Sequence, residues 1–207
     1  MLALLLSMSP SWASHQYYVW TGGSYTAESD GAFDFVFYDQ NGSQTVAWGC
    51  NEVEFGGVFP SGVYTRPGVV GRVDSSGWIN CTGPGGMNFG FTQHGHWDFV
   101  ATGAATKSLT DAVDGYVDGI SLTVADTDFG GAACQFTVSG TIDATLYESG
   151  TAGGQRIELD ETQGNLVIDS VSAPCLGWAA QGYTLDLIGT LELDSYAPIN
   201  IDSPGHS

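Results

Sequence analysis

The sequence predicts an all-β fold, an antiparallel β-sandwich or barrel held by disulfides, and three observations carry that expectation. Apolar side chains recur at every second residue in short runs, turn dipeptides separate the runs, and four cysteines fall as two pairs along the chain. Alternation of period two puts one set of side chains in a core and the other in water, the pattern of antiparallel strands with one wet face. No long stretch carries apolar residues at helical spacing.

In chain order, the first run is Phe33-Asp34-Phe35-Val36-Phe37-Tyr38, followed by Thr45-Val46-Ala47-Trp48 and His96-Trp97-Asp98-Phe99-Val100. The second half repeats the pattern in Ile120 to Val124, Gln135 to Ser139, Thr141 to Tyr147, Arg156 to Leu159, Asn165 to Ile168 and Tyr183 to Leu193. Between them stand Asp30-Gly31, Asn41-Gly42, Asp114-Gly115, Gly130-Gly131, Gly153-Gly154 and Gln163-Gly164. Such dipeptides supply the positive φ angles of tight hairpins, so a meander is expected. Gly56 to Gly77 reads as a long loop, with Phe59-Pro60-Ser61-Gly62 and Arg66-Pro67-Gly68 inside it, and loops are where binding sites tend to sit. Lys107 to Gly119 reads as a hinge, giving a single domain over residues 14–207 with an internal division near Thr106.

The N-terminus reads as a leader. Leu2 to Met8 is apolar, Ser11-Trp12-Ala13 places small residues where a signal peptidase needs them, and cleavage is expected after Ala13, although the usual positive n-region is absent. No later stretch reaches the ~20 apolar residues that a spanning helix needs, so the mature chain is expected outside the cytoplasm without a membrane span. At 207 residues and 43% hydrophobic content the chain can bury a sizeable core. Its formal charge is −19, with 23 acidic residues against Arg66, Arg72, Lys107 and Arg156. Such a surface repels phosphate backbones, which makes nucleic acid and anionic lipid poor partners and leaves cations, surface glycans or a basic protein.

Cys50, Cys81, Cys134 and Cys175 admit three connectivities, and local pairing, Cys50 with Cys81 and Cys134 with Cys175, is expected because each half then closes one moderate loop. Zinc is the alternative use of four cysteines, but none of these stand in the close pairs of a zinc site.

The stretch Cys81-Thr82-Gly83-Pro84-Gly85-Gly86-Met87-Asn88-Phe89, then Trp97, then Gly131-Ala132-Ala133-Cys134 and the run Val171 to Gly177 resembles a pattern of small secreted actinobacterial proteins. In those a lone Cys, a C-T-G-P strand, a Trp strand, a G-x-x-C strand and a V-S-x-C turn precede a terminal strand, here similar to Ile188 to Leu193. The resemblance runs from Gln44 to Pro204, while Val53 to Asp74 and Gln93 to His96 depart from it. It implies secretion and a disulfide-bonded β-fold, and it brings no assigned activity.

Four sets of residues carry candidate chemistry. His94 and His96, two apart, would share one face of a strand and reach one metal, with His15 or an acidic residue as a third ligand. Asp111, Asp114 and Asp118, continued by Asp126 and Asp128 among glycines, offer the hard oxygens that Ca²⁺ prefers, without EF-hand spacing. Glu52 with Glu54, and Glu28 with Asp30, are paired carboxylates, but glycoside hydrolysis needs two that face each other at about 5 to 9 Å across a cleft. Aromatic residues crowd the first half, where core packing accounts for most of them. For stacking on a sugar ring the expected set is Tyr17, Trp20, Tyr64 and Trp78, read as strand-end or loop residues. No nucleophile elbow, HExxH, P-loop or dinucleotide fingerprint occurs. The expectation is therefore a secreted, non-catalytic binding or structural protein. The alternatives are a secreted polysaccharide-degrading enzyme, or a carrier barrel, which needs a sizeable apolar cavity.

Overall fold

The computed structural model describes residues 16–106, 108, 110–150 and 154–203. The expected leader, His15, Lys107 and Gly153 lie outside the described residues.

The predicted alternation builds one closed antiparallel sheet. Strands β2 (Gly23–Ser29) and β3 (Phe33–Tyr38) both lie between β4 (Gln44–Phe59) and β12 (Thr184–Ser195), so they form one strand position interrupted at Asp30-Gly31. In the same way β7 (Asn88–Gln93) and β8 (Trp97–Ala101) share the position between β6 (Gly68–Thr82) and β9 (Ala112–Asp126), interrupted at His94 to His96. The ladder continues through β10 (Cys134–Tyr147) and β11 (Gln155–Pro174) to β12, and β4 meets β6 on its other edge. Ten strands thus occupy about eight barrel positions, each paired with its neighbour in the chain, and the sheet closes on itself.

The walls of this barrel pack face to face, as in a sandwich. Phe35 of β3 meets Phe91 of β7 across the interior at 5.4 Å between ring centroids, and Phe37 meets Phe136 of β10 at 5.8 Å. A void of about 20 Å³, lined by these rings with Trp48, Trp78 and Trp97, is the room left at the centre. On β10 the outward positions Gln135, Thr137, Asp143 and Thr145 are polar, and Phe136, Val138, Ile142, Ala144 and Leu146 turn inward. A membrane barrel reverses this alternation, with its apolar band outside. Among the described residues no helix is long and apolar enough to cross a membrane.

Three short strands, β1 (Gln16–Trp20), β5 (Gly62–Thr65) and β13 (Asn200–Asp202), pair in the order β13-β1-β5. Each belongs to a segment that leaves the barrel at the same end: β1 precedes β2, β5 links β4 to β6, and β13 follows β12. Their inward residues Tyr17, Val19 and Ile201 are buried in the same core as the barrel rings.

Both disulfides have the expected partners. Cys50 and Cys81 stand directly opposite each other on β4 and β6, and Cys134 joins Cys175 where the β10–β11 ladder ends. Bonds of this kind belong to an oxidising, extracellular environment.

Three expectations are corrected. Gly56 to Gly77 is not a long loop, because it contains the end of β4, all of β5 and the start of β6. Its glycines conceal the strand pattern by lending their space to neighbouring rings. At Gly71 a Cβ would stand 2.4 Å from the Phe59 ring. Asp114-Gly115 is not a turn but part of β9, where Gly115 lets the Val100 carbonyl come within 2.2 Å of where a Cβ would be. Ala112 to Gly119 of the expected hinge belong to β9, whose Gly115 to Asp118 pair with β8.

Gly189 of β12 faces inward with the Phe33 ring 2.5 Å from an added Cβ. Gly189→Val forces that buried ring aside and is expected to cost about 1–3 kcal/mol, read as a lower denaturation midpoint.

Candidate functional site

The strand β1 has the sequence Gln16-Tyr17-Tyr18-Val19-Trp20, and its alternation splits the aromatic residues between two faces. Tyr17 and Val19 turn onto the barrel, whereas Tyr18 and Trp20 turn outward. Trp20 is 55% exposed, a large apolar surface to leave in water, and Val63 on β5, the register partner of Tyr18, is 57% exposed. The Tyr18 and Trp20 rings are nearly parallel, 13° between planes and 6.1 Å between centroids. Beside them runs a groove of about 220 Å³ lined by Tyr18, Val19, Trp20, Ser61, Gly62 and Val63. The backbone that follows is held in place: Thr21 donates its hydroxyl to the Pro198 carbonyl, and the Gly22 amide donates to Ser61 Oγ at 2.9 Å. The result is a rigid aromatic ledge at the capped end of the barrel.

Only Trp20 of the four expected stacking residues has an exposed ring there. Tyr17 is fully buried, donates its hydroxyl to the Gly103 carbonyl at 2.6 Å and lies under the Arg66 guanidinium at 5.8 Å. Tyr64, opposite Tyr17 on β5, is half-buried against the core and donates to the Pro60 carbonyl. Trp78 lies inside the barrel wall, with its ring 4.6 Å from Phe91 and 5.7 Å from Phe35, and its Nε1 bonded to Ser76 Oγ. Tyr18 and Val63 were not among the expected residues. The period-two pattern of Tyr17 to Trp20 was the signal for Tyr18, while only the register of β5 exposes Val63.

His94 and His96 do not share a strand face. They flank Gly95, whose φ of 72° breaks the strand between β7 and β8, and each turns to a different partner. His94 Nε2 meets Thr123 Oγ1 at 2.7 Å, and His96 Nε2 stands 3.8 Å from Asp98. The calcium set is likewise dispersed. Asp111 precedes β9 and holds the Thr106 amide and hydroxyl at 2.6 and 2.7 Å. Asp114 accepts from Thr145, and Asp118 accepts from the Gly119 amide, about 13 Å further along the strand at ~3.3 Å per residue. Asp126 and Asp128 tie turns: Asp126 accepts from the amides of Phe129, Ala133 and Cys134, and Asp128 from Asn88. Burial opposes ionisation of Asp126, but the backbone N–H groups around it outweigh that and hold its carboxyl below the usual carboxylate range. Among the described residues no group of three or more His, Cys, Asp or Glu is placed to hold a metal ion.

Carboxylates gather at two further surfaces. Glu28 of β2 and Glu54 of β4 are register partners beside a groove of about 310 Å³ that also takes in Ser75 and Ser76. They stand side by side on one wall, not opposed across a cleft, and Glu192 continues the row on β12. A trough of about 550 Å³ on the outer wall of β9, β10 and β11 is lined by Asp114, Asp143, Glu158 and Asp160 with Tyr147. Burial, with Glu161 and Asp160 nearby, raises the Asp143 carboxyl, while Arg156 lies 4.0 Å over the Tyr147 ring and bonds Glu158 at 3.0 Å.

No protein family matches the chain, and neither a curated protein nor a solved structure matches it.

Proposed function

We propose that the protein is a secreted, non-catalytic binding protein that takes a neutral glycan on the Tyr18–Trp20 ledge. The observation that carries this reading is the outward, nearly parallel pair of rings on a rigid strand, with Trp20 55% exposed beside an apolar groove. A pyranose ring offers a C–H face to such a surface, and burying apolar area between them gives the binding energy. The charge of −19 disfavours anionic polymers and so points to neutral sugars. Export is supported by the leader pattern, by the two disulfides and by the resemblance to small secreted actinobacterial proteins.

A non-catalytic role is supported by the placement of Glu28 and Glu54, neighbours on one wall where glycoside hydrolysis needs opposed groups. A carrier would need interior room of about 300 Å³ or more, far above the void of about 20 Å³ among the core rings. The acidic trough on β9 to β11 favours a second reading, in which the partner is a basic protein.

The test is retention on insoluble cellulose, chitin and starch at low and high salt. The intact chain is expected to be retained on at least one of them, equally at both salt concentrations. Trp20→Ala is expected to weaken retention about tenfold or more, corresponding to ~1.4 kcal/mol. Failure to bind any of the three polymers sinks the glycan reading, and salt-sensitive capture of a basic protein supports the second.

A further inference from the structure

The C-terminal strand β13 is bonded on one edge by the β1 backbone, where Trp20, Val19 and Tyr18 pair with Asn200, Ile201 and Asp202. Its other side is held by side chains that take the place of a strand. Gln155, buried at the start of β11, accepts from the Ile199 amide at 2.8 Å and donates to the Ile199 carbonyl. Glu148, just past β10 and 6% exposed, accepts from the Ile201 amide at 2.5 Å and from Asn200 Nδ2 at 2.9 Å. Two carboxylates lie near enough to act on Glu148: Asp111 from the connection between β8 and β9, whose backbone carbonyl also accepts from the Glu148 amide at 2.8 Å, and Asp202 from β13 itself.

We propose that Glu148 acts as a protonated latch: its carboxyl clamps β13 onto the barrel while it carries a proton, and loss of that proton loosens this strand. The chemistry is proton transfer alone. A neutral carboxyl can donate its O–H toward Asp111 while it accepts from Ile201 and Asn200. A carboxylate in the same place puts like charges side by side in a poorly solvated corner. Burial, reinforced by Asp111 and Asp202 and opposed by the Ile201 amide, pushes the Glu148 carboxyl up to about 9. The group binds its proton more tightly in the clamped state than in an open one. The clamp is therefore strongest below the ordinary glutamate range, weakens steadily as pH rises, and has lost this contribution above about pH 9. This device is independent of what the Tyr18–Trp20 ledge binds. Its opening would nevertheless reach the ledge, because Asn200 is the register partner of Trp20.

Native-state hydrogen exchange at the Ile201 amide, corrected for intrinsic rates and followed from pH 5 to pH 9, tests the latch. Wild-type protection is expected to fall by up to about tenfold per pH unit in that window. Glu148→Gln, which keeps the shape and cannot ionise, is expected to hold protection flat across it. Flat wild-type protection overturns the proposal, as does a slope that persists in Glu148→Gln. A rise in wild-type protection on adding calcium at pH 7, absent from Glu148→Gln, would also overturn it by making the cluster a cation site.

Discussion

Trp78→Ala lowers folding stability by about 3 kcal/mol, whereas Trp20→Ala changes it by less than about 0.5 kcal/mol, when both are measured by chemical denaturation. Both tryptophans were expected at an exposed stacking surface, and packing separates them. Trp78 sits among Phe33, Phe35, Phe55 and Phe91, all within 6.3 Å between centroids, so truncation leaves a cavity that four rings cannot collapse to fill. Trp20 is 55% exposed and its one ring partner is Tyr18 among the described residues, so its loss removes binding surface and little core. Equal stability losses in the two variants would mean that the ledge is structural and would withdraw its role in recognition.

The double variant Cys134→Ser, Cys175→Ser is expected to cost about 4 kcal/mol in the chain-entropy account of a cross-link. The bond closes 41 residues, and Cys50–Cys81 closes 31, so the first is the slightly larger constraint on the unfolded chain. Its loss also bears on a turn. The Asp126 carboxylate gathers the amides of Phe129, Ala133 and Cys134, and the Cys175 amide donates to the Ala133 carbonyl, so the disulfide and the turn brace each other. Hydrogen exchange should therefore rise first over residues 127–134 and 175–178. An unchanged melting temperature, together with a free Cys175 thiol in the oxidised wild type, would contradict the pairing.

Much of the fold was legible because the barrel obeys period two with little interruption in its second half. The runs Gln135 to Ser139 and Thr141 to Tyr147 merge into β10, and Arg156 to Leu159 with Asn165 to Ile168 merge into β11. The register shifts near Gly140 and between Glu161 and Leu166 account for the apparent breaks. The first half was harder to read. In β5 and β6 glycines stand where inward apolar residues would mark a strand, because rings such as Phe59 fill their space from a neighbouring strand. A ring borrowed from 12 residues away leaves no local mark on the strand it covers.

The candidate sites were less legible, for a related reason. Spacing shows which residues share a strand face but not whether that face meets a core or water. Tyr17 and Trp20 belong to one five-residue strand, yet one is fully buried and the other 55% exposed. Glu148 and Gln155 carried no sequence signal, since their partners lie 53 and 44 residues away on β13.

By itself the sequence determined the all-β class and the acidic composition, because each depends on residue type and near-neighbour spacing, and among three cysteine connectivities it only favoured the local one. Tertiary structure decided that the sheet closes, that its interior fills with aromatic rings, and which aromatics remain outside. Those outcomes depend on register between strands distant in the chain, and a shift of one residue exchanges every inward side chain for an outward one.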